Sequence, residues 1–103
     1  MNFNYQEMLK QAKIMQKQME KIQEELKKTE FSASSGGGAV KVKVNGDQQV
    51  LEIKIDKEII DLNDIEILED MILVAVNDAL SQSKAEAKTR LMGLTGGLNI
   101  PGF

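Results

Sequence analysis

Four lysines, Lys10, Lys13, Lys17 and Lys21, recur at intervals of three, four and four. On an α-helix that spacing sets them in one ridge. Lys13 has no acidic residue three or four positions away on either side, and Lys13–Lys17 and Lys17–Lys21 are like-charge pairs that slightly destabilise an isolated helix. The chemistry open to such a ridge is attraction of anions, for which a phosphate backbone is the natural partner. The bland alternative is the solvated outer face of a coiled coil, and the pattern by itself leaves both readings open.

Other chemistry is scarce. The chain has no histidine and no cysteine, so the commonest general base, the commonest transition-metal ligand and all thiolate chemistry are missing. Carboxylates, lysines and tyrosine remain, but they gather at no spacing that reads as a catalytic cluster; no enzyme, cofactor or small-molecule substrate is expected. Asp61, Asn63, Asp64 and Glu66 come nearest to a metal site. They fail as an EF-hand loop because Glu66 occupies the sixth position, where that loop needs glycine. Asn63 followed by Glu66 has instead the form of a helix capping box. Gly36-Gly37-Gly38 invites comparison with phosphate-cradling loops, yet it leads into a strand and lacks the Lys-Ser or Lys-Thr that opens a helix, so a hairpin connection is the better reading.

The elements that must carry these residues follow from periodicity. Tyr5, Met8, Ala12, Met15, Met19, Ile22 and Leu26 alternate spacings of three and four, a heptad seam on the helix side opposite the lysine ridge. A helix over residues 1–28 is expected, and its seam is made to pack along another helix. Residues 29–56 read as a three-stranded antiparallel meander. Phe31 to Ser35 form a short first strand, and Val40, Val42 and Val44 face inward with Lys41 and Lys43 outward. Asn45-Gly46 turns the chain, after which Leu51, Ile53 and Ile55 face inward with Glu52 and Lys54 outward. Lys41, Lys43 and Lys54 read as solubilising, since Glu52 lies among them.

A second long helix is expected over 63–92, starting near Asn63 or Asp64 and stopped by Gly93. It is apolar on two sides: Ile65, Leu68, Ile72 and Val76 form one stripe, Ile67, Met71 and Val74 another. One stripe suits the sheet. The other requires separate cover, which the same helix of a second copy would supply, making Ile67, Met71 and Val74 the candidate dimer interface. Residues 93–103 show no periodicity and read as a mobile tail.

The formal net charge of −3 over 103 residues conceals an asymmetry. Residues 1–28 carry net +2, 29–55 net 0, 56–80 net −7 and 81–103 net +2. Lys84, Lys88 and Arg90 therefore join the lysine ridge as candidate anion contacts, while the acids concentrate near the second helix. The length suits one domain, 1–103. There is no signal-peptide pattern and no uninterrupted apolar run of ~20 residues, so neither secretion nor a membrane span is expected, and the lack of cysteine suits a reducing cytoplasm.

The order of helix, glycine-rich hairpin, alternating strands, acidic cap and long helix resembles the YbaB/EbfC family of small bacterial nucleoid-associated proteins. The resemblance rests on Ser35-Gly36-Gly37-Gly38 leading into Val40-Lys41-Val42, on Asn45-Gly46, and on Leu68-Glu69-Asp70 through Val76-Asn77-Asp78-Ala79. The ending, Leu94-Thr95-Gly96-Gly97-Leu98 with Pro101-Gly102, completes it. It implies a dimeric α+β fold, α-β-β-β-α in two layers with projecting helices, located at the nucleoid. It further implies binding of double-stranded DNA with a change in DNA conformation. The family offers no compact DNA-reading motif to carry over by residue, and a protein-interaction or assembly module working through the methionine-rich seam is the alternative.

Overall fold

The computed structural model describes residues 4–94. Helix α1 (Tyr5–Lys28) leads into strands β1 (Glu30–Ser35), β2 (Val40–Asn45) and β3 (Val50–Ile55), followed by helix α2 (Ile65–Leu94). The strands form one antiparallel sheet in the order β1-β2-β3, so the fold is α+β with a three-stranded meander.

Alternation in the sequence becomes two sheet faces. Val40, Val42 and Val44 are buried on the face turned toward α2, and Phe31 and Ala33 of β1 join them. Helix α2 meets this face with Ala75, Ala79 and Ser83, all fully buried and each one turn beyond the last. Small residues at four-residue spacing let the helix axis come close to the valines. Leu68, Met71, Ile72, Val76 and Leu80 flank that line and pack on the same core.

Two docking points fix the angle of α2. At one end Gly36 adopts φ +62°, and a Cβ there would collide with the Met71 sulfur, so only glycine permits the approach. Ser35 Oγ beside it donates to the Met71 carbonyl at 2.5 Å. At the other end Ser83 Oγ donates to the Asn45 carbonyl at 2.7 Å and accepts from Gln48 Nε2 at 2.8 Å, which leaves this buried hydroxyl satisfied. Asn45 is buried too. Its Oδ1 accepts from the backbone N–H groups of Asp47 and Gln49, holding the turn that Asn45-Gly46 signals in the sequence.

That turn also anchors α1. The Gly46 N–H donates to the carbonyls of Leu26 (2.8 Å) and Thr29 (3.0 Å), satisfying the C-terminal carbonyl end of the helix from another element. A side chain at residue 46 would stand 2.5 Å from the Leu26 oxygen, so close approach demands glycine here as well. From this root α1 leaves the body. Leu26 is buried and Met19 and Ile22 are half-buried, while Tyr5, Met8, Ala12 and Met15 are exposed. The radius of gyration is 19.8 Å and the longest extent 73 Å. A compact chain of this length would have a radius near 13 Å, so α1 is a projecting arm.

Several sequence expectations are corrected. Helix α2 is capped by Asp64, whose Oδ1 accepts from the Ile67 N–H, and not by an Asn63–Glu66 box; the Asn63 N–H donates instead to Asp61 Oδ1 in the preceding turn. Gly93 does not stop the helix, which continues through it to Leu94. A lone glycine weakens a helix by about 1 kcal/mol relative to alanine and need not end it. Residues 93 and 94 of the expected tail are thus helical, and 95–103 lie outside the described residues. The inward set on β3 also differs. A bulge between Lys43 and Val44 leaves Leu51 unpaired and sets Val50 opposite Val44, so Val50, Ile53 and Ile55 share the face of the buried valines. All of β3 is nevertheless exposed, because α2 covers β1 and β2 but not β3.

The difference between arm and body sets an expectation for stability. Met15→Ala should lower the melting temperature less than Ile72→Ala, since Met15 is exposed and Ile72 packs on the core. Thermal unfolding followed by circular dichroism measures both; an equal loss at Met15 would place the arm within the stabilising core.

Candidate functional site

The basic ridge lies on the projecting part of α1. This helix forms where the sequence alternates apolar and charged residues with helical period, and it starts at Asn4, whose Oδ1 accepts from the Glu7 N–H at 3.2 Å. Lys10, Lys13, Lys17 and Lys21 are exposed. From Lys10 to Lys21 the ridge runs about 17 Å along the helix. Among the described residues the ion pairs are Lys43–Glu30, Lys54–Glu52 and Arg90–Glu86, so all four ridge lysines are unpaired. An unpaired ammonium group on a mobile stem is a point charge suited to a phosphate oxygen.

The C-terminal candidates divide. Lys84 and Lys88 are exposed on α2. Arg90 is half-buried, its Nε donates to Glu86 Oε1 at 2.9 Å, and its Nη1 donates to Thr29 Oγ1 at 3.5 Å. Thr29 in turn donates through Oγ1 to the Glu25 carbonyl at 2.7 Å. Arg90 thereby ties α2 to the root of the arm. Sequence reasoning sees the Glu86–Arg90 spacing but has no means of seeing Thr29, sixty-one positions away.

The candidate interface residues also separate. Ile67 and Val74 are exposed, whereas Met71 is half-buried with its sulfur against Gly36 of its own chain. Leu73, not singled out in the sequence, is the most exposed large apolar side chain of α2 at 59%. A helical wheel places Leu73 beside the acidic positions, which hides it from a stripe analysis. Val50, Leu51, Ile53 and Ile55 of β3, and Ile59, Leu62 and Ile65 before and at the start of α2, are exposed apolar side chains too. Exposed patches of this kind mark interaction surfaces.

Asp61 and its neighbours act as turn acceptors, and among the described residues no three His, Cys, Asp or Glu side chains gather as a metal site. Among the described residues no helix is long and apolar enough to cross a membrane.

The chain is similar to known proteins along nearly its whole length. The model of the YbaB/EbfC DNA-binding family matches residues 1–98. A nucleoid-associated protein of Clostridium novyi (strain NT) is 48% identical over 100 residues, covering 97% of this chain and 88% of the relative. One from Thermoanaerobacter pseudethanolicus is 43% identical over 101 residues, covering 98% and 91%. The crystal structure of an uncharacterized Helicobacter pylori protein superposes with a TM-score of 0.84 at 24% identity, over 92% of this chain and all of that one, and shows the same fold.

Proposed function

The chain belongs to the YbaB/EbfC DNA-binding family, and from that membership we infer that it is a cytoplasmic homodimer that binds duplex DNA at the nucleoid. The observation that carries the reading is the run of unpaired lysines on an arm held away from the acidic body. Lys10, Lys13, Lys17 and Lys21 meet phosphates, Lys84 and Lys88 extend the contact, and Arg90 keeps the arm in place. Contacts of this kind position a protein without reading bases. The described residues include a single arginine, already engaged, and no basic recognition helix, so binding is mainly backbone-directed and little direct readout follows. With one arm from each protomer on the same duplex, the DNA path is constrained by the angle between the arms, which is how its conformation changes and how nucleoid organisation and gene expression are affected.

The dimer follows from two uncovered apolar surfaces in one chain. The inward face of β3 (Val50, Ile53, Ile55) lacks a helix, and the outer side of α2 (Ile67, Leu73, Val74) lacks a sheet. A two-fold axis lays each protomer's α2 over the other's β3 and covers both at once, as a self-complementary interface must. The exposed Met8 and Met15 favour a second reading, in which the arm grips a protein client through its adaptable apolar seam.

Salt distinguishes the two. In gel-shift titrations against duplexes of different sequence, eight ridge contacts from two arms would cost a factor of roughly 10³–10⁵ in affinity between 50 and 200 mM salt, about equally for every sequence. Affinity that ignores salt would reject backbone binding and favour the seam.

A further inference from the structure

The outer face of the sheet, opposite α2, carries a second feature that the ridge does not absorb. The strand register sets Ser34, Lys41 and Lys54 side by side across β1, β2 and β3, with Lys41 directly opposite Lys54. Neighbouring strands are about 4.8 Å apart, so the two ammonium stems rise from adjacent positions. Like charges directly opposite one another destabilise a sheet. The adjacent row shows the usual arrangement, Lys43 opposite Glu52, with Lys43 also 3.5 Å from Glu30. Lys41 has no carboxylate partner, and Lys54 reaches only Glu52 at 3.5 Å, with its side chain 72% exposed.

The surroundings favour an anion. The row lines a shallow depression of about 370 Å³ that Ser34 and Lys43 also border, with Glu52 the one carboxylate on its rim. This face carries Lys41, Lys43 and Lys54 against Glu30 and Glu52, whereas the eight acids of residues 56–80 all belong to α2 and the turns before it, so it is less acidic than the rest of the body. A phosphate seated over the row would receive two ammonium donors and a serine hydroxyl, and would relieve the Lys41–Lys54 repulsion that the fold otherwise carries.

We propose that Ser34, Lys41 and Lys54 form a second contact for the phosphate backbone of duplex DNA, on the sheet and separate from the arm. The proposal rests on the DNA-binding reading and extends it: a duplex engaged by the arm, or a second duplex beside it, also meets the body.

The test uses the full chain and a short duplex, with affinity measured across a series of salt concentrations. Lys41→Gln with Lys54→Gln should flatten the log–log dependence of affinity on salt by about 0.9 per protomer, one phosphate each. Lys41→Arg with Lys54→Arg should restore the slope, which a merely structural role for these side chains would not require. Thermal melting of the glutamine variant should stay close to that of the parent, because the Lys41–Lys54 like-charge pair and the exposed Lys54–Glu52 ion pair are lost together and their small effects oppose. An unchanged slope in the folded glutamine variant overturns the proposal, as does an arginine variant that fails to restore it. Lys13→Gln with Lys17→Gln separates this site from the ridge. Loss of slope there alone leaves the arm reading standing and the sheet contact refuted, loss at Lys41 and Lys54 alone does the reverse, and no loss at either refutes both.

Discussion

Val74→Asp is expected to convert the protein from a dimer at micromolar concentration into a monomer that has lost much of its helical structure. Val74 lies half exposed on the side of α2 turned away from its own sheet. In the proposed dimer it meets the partner, and burial of Ile, Leu or Val is worth about 1.5–3 kcal/mol for each fully covered side chain. Several such residues from each protomer contribute an amount comparable to the whole stability of a small domain, roughly 5–15 kcal/mol. An unpaired carboxylate in that contact costs about 3–5 kcal/mol, and symmetry places two of them there. Sedimentation velocity and far-ultraviolet circular dichroism measure the outcome. A wild-type protein that sediments as a folded monomer, or a Val74→Asp protein that remains dimeric, contradicts the interface. Met71→Asp is the poorer experiment, because the Met71 side chain also packs against Gly36 within its own chain.

The second large effect concerns the ridge. Replacing Lys13 and Lys17 by Gln removes four positive charges from a homodimer, and if each met a phosphate the salt dependence of binding flattens by about 3.6 in the log–log slope. The loss falls about equally on all duplex sequences, since these contacts do not touch base edges. Folding is spared: both side chains are exposed, neither makes an ion pair, and removal relieves their mutual repulsion. Salt titrations on two unrelated duplexes, with circular dichroism as a control for folding, give the result. An intact slope returns the ridge to a solvated helix face and directs attention to Lys84, Lys88 and the seam.

The local elements were legible in the chain because each is written in short-range periodicity. Spacings of three and four specify α1 and its opposed seam and ridge, and alternation specifies β2 with its buried valines. Asn45-Gly46 turns the chain because the Asn45 side chain holds its own backbone. The order of these pieces also carried the family resemblance. Tertiary structure decided what depends on residues distant in sequence. Two apolar stripes on α2 are equivalent to a pattern, and the choice between them was made by Ala75, Ala79 and Ser83, whose small side chains admit the sheet. Met71 went to the intrachain side because Gly36 leaves room for its sulfur, and Arg90 became a tether because Thr29 lies within its reach. Asp64 took the cap from Asn63 because the preceding turn already uses the Asn63 N–H. On β3, alternation mispaired Leu51 because a single bulge shifts the register by one residue, and a period of two cannot signal where it is interrupted. Docking acts through shape and close approach between separated segments, and such contacts leave no periodic trace in either segment alone.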